Sequence, residues 1–198
     1  MRHVALLALP LVLVAQCQPA CAPPPASPSQ PYTVPVVGHA DWGTTHSTYP
    51  ATDVFAACGA VIVSPAHGVV VESRRVDAYD PAVDDPATRG GRSLAIVGDD
   101  GVRYYLAHFE SIDDGIEPGV RVAAGQSLGR MGRTGRASAC HLHFGISPPC
   151  PAEEWWVRRG VVWPHPYLDD WRAGGQRSPA DEVTAWAATN PSECLRPM

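Results

Sequence analysis

The chain has 198 residues, of which 45% are apolar and 18% charged, with a formal charge of -5 and a pI near 5.8. That length and apolar content suit one folded domain with extensions. The acidic balance excludes the basic stripe of a nucleic-acid binder, and all 15 basic residues are arginine.

The chain opens on Arg2 and His3, followed by an apolar run from Val4 to Ala15. That run is too short for a bilayer span, which needs ~20 residues, but it suits the apolar region of a secretory signal peptide. Ala20-Cys21-Ala22 has the small-x-small pattern of a cleavage site, so residues 1–22 are expected to be a signal peptide and the product to be exported. Lipid attachment at Cys17 is the rival reading, and the only one that gives a membrane contact. Gln16 is bulky where that reading wants a small residue, and lipidation would leave Cys21 as an odd thiol. Cleavage after Ala22 leaves Cys58, Cys140, Cys150 and Cys194, an even number that suits disulfides outside the cytoplasm.

Residues 23–36 are proline-rich and uncharged and read as an extended linker without packing of its own. Strand signals follow. Ala60 to Ser64 and Gly68 to Glu72 are short apolar runs, and Ser93 to Val97 and Val102 to His108 flank the turn Gly98-Asp99-Asp100-Gly101. Gly119 to Gly129 reads as two short strands with glycine punctuation, and His141 to Ser147 as another. No long helical periodicity precedes residue 150. The expected core, residues 37–150, is all-β and antiparallel, an open barrel-like sandwich.

Residues 151–198 form an extension in which Trp155, Trp156, Trp163, Trp171 and Trp186 crowd together. Ser178-Pro179-Ala180 predicts the start of a short helix through Glu182, Val183 and Trp186. The expectation is an aromatic appendage wrapped on the β core, because buried aromatics outnumber exposed ones. A sugar-stacking platform is the alternative.

Chemistry concentrates in histidines. In His141-Leu142-His143-Phe144 on a strand, the two imidazoles share one face while Leu142 and Phe144 enter the core. One such imidazole suits a metal, and its neighbour suits a bound water or a developing charge. Tyr104-Tyr105-Leu106-Ala107-His108 ends a predicted strand on a histidine, and Gly119-Val120-x-Val122-x-x-Gly125-Gln126-x-x-Gly129 follows. His46 and Asp53 stand upstream, before Cys58-Gly59 and the run His67-Gly68-Val69-Val70.

With these motifs in this order, residues 38 to 147 resemble the lysostaphin/LytM-type zinc endopeptidases, which hydrolyse peptides of bacterial peptidoglycan. The resemblance implies one Zn2+ per chain held by His46, Asp53 and His143, with His108 and His141 as metal-free catalytic histidines. It further implies a monomer whose partner is peptidoglycan. The chemistry is consistent, since catalytic zinc takes three nitrogen or oxygen ligands and keeps one position open. One departure stands out. The family spacing is His-x-x-x-Asp, whereas Tyr49 occupies that position here and His46 lies seven residues before Asp53. A small loop at Tyr49-Pro50 is expected to bring His46 to the metal, with His39 the other upstream candidate. His67 and His165 read as structural or solvated. The acidic loop from Asp77 to Gly91 reads as a groove wall rather than a calcium site.

If Asp53 and His143 meet across neighbouring antiparallel strands, the register also brings Cys58 near Cys140. A Cys58–Cys140 disulfide is therefore expected, and Cys150–Cys194 by elimination. The hydrolase reading has two rivals. A LytM-like module that docks to other wall hydrolases should have lost a catalytic position. A lipoyl- or biotinyl-carrier domain, whose glycine-rich hairpins the 119–129 stretch resembles, requires a lysine that the chain lacks.

Overall fold

A computed structural model describes residues 31–150 and 154–194. The expected signal peptide, Cys17 and most of the proline-rich segment lie outside the described residues. Ten strands come first: β1 Asp41–Trp42, β2 Thr52–Phe55, β3 Val61–Val63, β4 Gly68–Arg74, β5 Ser93–Gly98, β6 Arg103–Ala107, β7 Phe109–Ile112, β8 Arg121–Val122, β9 Ser127–Met131 and β10 Leu142–Ser147. Three helices follow: α1 Trp155–Arg158, α2 His165–Arg172 and α3 Ala180–Thr189. All strand pairs are antiparallel, in a seven-stranded sheet of order β1-β2-β10-β6-β5-β4-β8 and a three-stranded sheet of order β3-β9-β7.

The core lies between the sheets. Leu94 and Ile96 of β5, Tyr104 and Leu106 of β6, and Leu142, Phe144 and Ile146 of β10 are fully buried on it. Their alternate neighbours Tyr105, His143 and Gly145 therefore stand on the opposite face of the large sheet. The β5–β6 turn forms where Asp-Gly predicts it: Gly101 adopts φ 76° and its N–H donates to the Gly98 carbonyl at 2.9 Å. A bulge between Val70 and Glu72 matters for function. Val70 pairs with core-facing Ile96, yet Glu72, two residues on, pairs with Ala95 on the other face. One extra residue thus turns a carboxylate away from the core.

The proline-rich segment requires a correction at its end. Tyr32 and Val36 are buried and Val34 packs against the core, with bridges Tyr32–Ala66 and Val36–Ile62. Tyr32 also stacks on Trp171 at 5.3 Å. The alternation of Tyr32, Val34 and Val36 presents an apolar edge, and Pro35 needs only to accept, from the Val63 N–H at 3.0 Å.

The extension wraps the core through α2, whose Tyr167, Leu168 and Trp171 are buried. This helix was not predicted, because Trp-Pro-His-Pro reads as a breaker. Pro166 sits in the first turn, where a missing N–H loses no intrahelical bond. The predicted helix is α3, and Ser178 Oγ accepts from the Ala180 N–H at 3.1 Å. Disulfides join Cys58 to Cys140 and Cys150 to Cys194. The first braces β2 against β10, and the second ties the extension to the end of the β domain. No helix among the described residues is long and apolar enough to cross a membrane.

Candidate metal centre and its groove

His143 on β10 stands directly opposite Asp53 on β2. That register brings His143 Nδ1 within 3.2 Å of Asp53 Oδ1. The loop before β2 folds so that His46 Nε2 lies 3.6 Å from the same oxygen, despite the long spacing. It packs His46 edge-on against Tyr49, with ring centroids 4.5 Å apart. One ligand atom each from His46, Asp53 and His143 lies within 4.8 Å of the others, the one such group among the described residues. His39 stands apart, exposed and paired with Asp41 at 3.1 Å.

Backbone carbonyls orient the rings. A carbonyl can only accept, so the ring nitrogen that faces one carries the proton. His143 Nε2 faces the Arg159 carbonyl at 3.1 Å, which turns Nδ1 toward Asp53. With a bare Nδ1, two lone pairs would face each other at 3.2 Å. A cation bound between them, such as a metal ion, would relieve that repulsion. Bonds of ~2.0–2.2 Å around a tetrahedral zinc would set ligand separations of roughly 3.3–3.6 Å. The two separations from Asp53 Oδ1, 3.2 and 3.6 Å, lie close to that range.

His141 and His108 stand beside this group. His141 Nδ1 faces the Ala139 carbonyl at 2.9 Å and its Nε2 is 3.7 Å from Asp53 Oδ1. His108 Nδ1 faces the Thr134 carbonyl at 2.7 Å, and its ring centroid is 4.6 Å from that of His141. Each ring donates its Nδ1–H to the backbone and turns Nε2 toward the site. His108, between β6 and β7, adopts φ 70°, a left-handed conformation that non-glycine residues rarely take. Its N–H donates to the Gly90 carbonyl at 2.9 Å and its own carbonyl accepts from Gly132 at 3.0 Å. These bonds offset the strain and aim the ring.

Burial disfavours the charged forms of His108 and His46 beside the Asp53 carboxylate. Burial, then the neighbouring His143 and His141, pushes His108 down to about 4. Burial and His143 also lower His46. For Asp53, burial acts upward, but the His143 hydrogen bond and the charges of the three surrounding histidines outweigh it and leave the carboxyl below its usual range.

The cluster opens into a groove of about 400 Å³ on the outer face of the large sheet. The 77–91 loop contributes Pro86, Ala87 and Arg89 to the wall, as expected of it. Its acidic groups are engaged locally: Asp84 pairs with Arg89, and Asp77 accepts from the Gly135 N–H. His67 accepts from the Ala124 N–H at 3.2 Å in a turn, and His165 opens α2. Other lining residues were not foreseen. Glu72, Arg103 and Arg158 form a buried cluster, in which Glu72 accepts from Arg103 at 3.0 Å and pairs closely with Arg158. Tyr49, Tyr105, Trp155 and Arg159 complete the wall. The one sequence signal for the last pair was Trp-Trp-Val-Arg-Arg-Gly, an aromatic and basic run closed by glycine.

A two-histidine, one-carboxylate cluster, two of its members on adjacent inner strands of an antiparallel sheet, is a ligand set of the kind that catalytic metal sites use. The profile of Peptidase family M23 matches residues 47–150, more than half of the chain, and the protein belongs to this family. The fold agrees. The catalytic domain of the antimicrobial peptidase lysostaphin from Staphylococcus simulans superposes with a TM-score of 0.51 at 24% identity, over 66% of this chain and 92% of that domain. Lysostaphin itself, from the same organism, gives 0.57 at 22% identity, over 74% of this chain and 56% of its own. A putative peptidase M23 from Pseudomonas aeruginosa gives 0.52 at 21%, over 71% and 51%. This chain thus spans most of an isolated catalytic domain but only about half of the longer proteins. No curated protein matches it significantly in sequence.

Proposed function

We propose that the protein is an exported zinc endopeptidase that hydrolyses peptide bonds in peptidoglycan stem peptides or cross-bridges. The observation that carries this reading is the convergence of His46, Asp53 and His143, whose ligand atoms all lie within 4.8 Å of one another. These three residues would hold one zinc ion. When bound, zinc supplies a Lewis acid and lowers the pKa of water toward neutrality.

The remaining steps fall to the chain itself. With Nδ1 protons held by Thr134 and Ala139, His108 and His141 present Nε2 atoms to the open side of the cluster. One takes a proton from the attacking water. It then passes that proton to the leaving amine, while the other, when its Nε2 carries a proton, hydrogen-bonds the developing oxyanion. Low basicity keeps His108 neutral and ready to accept at pH 7. The Arg159 carbonyl holds His143 in its ligating tautomer, as outer-shell acceptors do in zinc sites. Two disulfides support an extracytoplasmic location. The protein acts as a monomer, and lipid at Cys17 is the only membrane anchor envisaged.

A second reading has one observation in its favour. The family match starts at residue 47, one past His46, as in a chain whose first ligand has drifted. A zinc-free module that docks to other wall hydrolases would have that history. Incubation of the purified protein with peptidoglycan, with and without chelator, separates the two when new amino termini are read by mass spectrometry. Chelator-sensitive termini, one bound zinc, and a His141→Ala variant that keeps zinc but loses turnover are expected. No bound zinc and no new termini would refute the peptidase reading and leave the docking module as the alternative.

A further inference from the structure

The groove is rich in arginine, and its charges do not balance. Glu72 serves Arg74, Arg103 and Arg158, and Asp84 serves Arg89 and Arg136. Arg159, from the C-terminal extension, has no carboxylate partner among the described residues, and its buried Nε has no hydrogen-bond acceptor. Its guanidinium lies instead over the Tyr49 ring at 3.8 Å and near Trp155 at 5.2 Å. Such aromatic contact fixes the planar fork in place while leaving its N–H edge for a ligand.

The position of this cation follows from close backbone packing. Gly145 of β10 bears directly on the Arg159–Gly160 backbone, where a Cβ on Gly145 would stand 2.7 Å from the Arg159 carbonyl carbon. The Val161 N–H donates to Ile146 at 2.9 Å. The extension is therefore seated on the sheet and walls off one end of the groove. Tyr49 lies between Arg159 and His46, with ring centroids 4.5 Å from His46. The free cation thus stands within two to three residues of extended chain from the metal cluster, at ~3.4 Å per residue.

We propose that Arg159, clamped by Tyr49 and Trp155, is a specificity-determining residue that binds a substrate carboxylate close to the scissile bond. Resting on the hydrolase reading, this narrows its substrate class to anionic peptides and argues against neutral glycine-rich bridges. Two sources share that chemistry, a side-chain or α-carboxylate of an acidic stem residue and the carboxylate of a chain end.

The test uses the full exported protein and synthetic stem peptides in which the acidic-residue carboxylate, the terminal carboxylate, or neither is converted to carboxamide. Binding is read by calorimetry and cleavage by kcat/KM. A charge-assisted bidentate contact predicts a roughly ten- to hundredfold loss in binding when the recognised carboxylate is amidated, and the sensitive position identifies the source. In Arg159→Gln that discrimination should shrink to about twofold, with zinc content maintained because the backbone carbonyl remains. Equal affinity of wild type for all peptides overturns the proposal, as does full discrimination in the variant. Selective binding without cleavage in the zinc-loaded protein would overturn the hydrolase reading and leave the carboxylate site standing.

Discussion

Gly145→Ala is a one-carbon perturbation whose consequence can be worked from distances. The added Cβ would lie 2.7 Å from the Arg159 carbonyl carbon, and ordinary contact begins at 3.4 Å. The Arg159 carbonyl oxygen would be met more closely still, so the backbone must retreat by at least about 0.7 Å, because both neighbours are main chain rather than pliable side-chain tips. That carbonyl is the partner of His143 Nε2 at 3.1 Å. Moved outward by that amount, it passes the limit of a hydrogen bond, and His143 loses the contact that directs Nδ1 to the metal. Loss of such an outer-shell acceptor lowers metal affinity by roughly 10–100-fold. Overpacking itself costs about 1–3 kcal/mol, and each kcal/mol lowers Tm by about 2–4 °C in a chain of this size. Competition with a chromophoric chelator reports the zinc affinity, and calorimetry of the metal-free protein reports the stability. Zinc affinity within twofold of wild type, alongside a clear fall in Tm, would refute the link between extension and ligand.

Further outcomes follow from the same geometry. His108 titrates at about 4 in the folded protein against ~6.5 in an unfolded chain. Between those values the unfolded state holds more protons, so stability is complete above pH 6.5 and falls as pH drops toward 4, by on the order of 3 kcal/mol. Urea melts of the metal-free protein at pH 7.5 and 4.5 should show this loss, and His108→Gln should lack most of it; an equal loss in the variant would discount His108 as its source. Replacement of Cys58 and Cys140 by serine removes a crosslink over 82 residues, which should cost about 2–5 kcal/mol and weaken zinc binding through β2 and β10. Denaturation curves test the first effect and chelator competition the second.

Much of the centre was legible because it is local. Period-two alternation in His141-Leu142-His143-Phe144 is enough to put two imidazoles on one face, and the register that joins Asp53 to His143 also aligns Cys58 with Cys140. The Asp-Gly turn and the Ser178-capped helix likewise depend on a few neighbouring residues. The misread parts depended on distant ones. Helix α2 hid behind two prolines that its first turn tolerates, and Tyr32, Val34 and Val36 found a core face that no local pattern announces.

From its residues alone, this chain determined a β-protein with five histidine and aspartate groups of metal-ligating and proton-transferring type, because strand alternation and turn chemistry act over a few positions. Which groups share a groove was decided in three dimensions. The bulge that turns Glu72 outward, the glycine on which Arg159 rests, and the carbonyl that sets the His143 tautomer all join segments far apart in sequence. Contacts of that kind are set by packing between elements, which has no period along the chain to read.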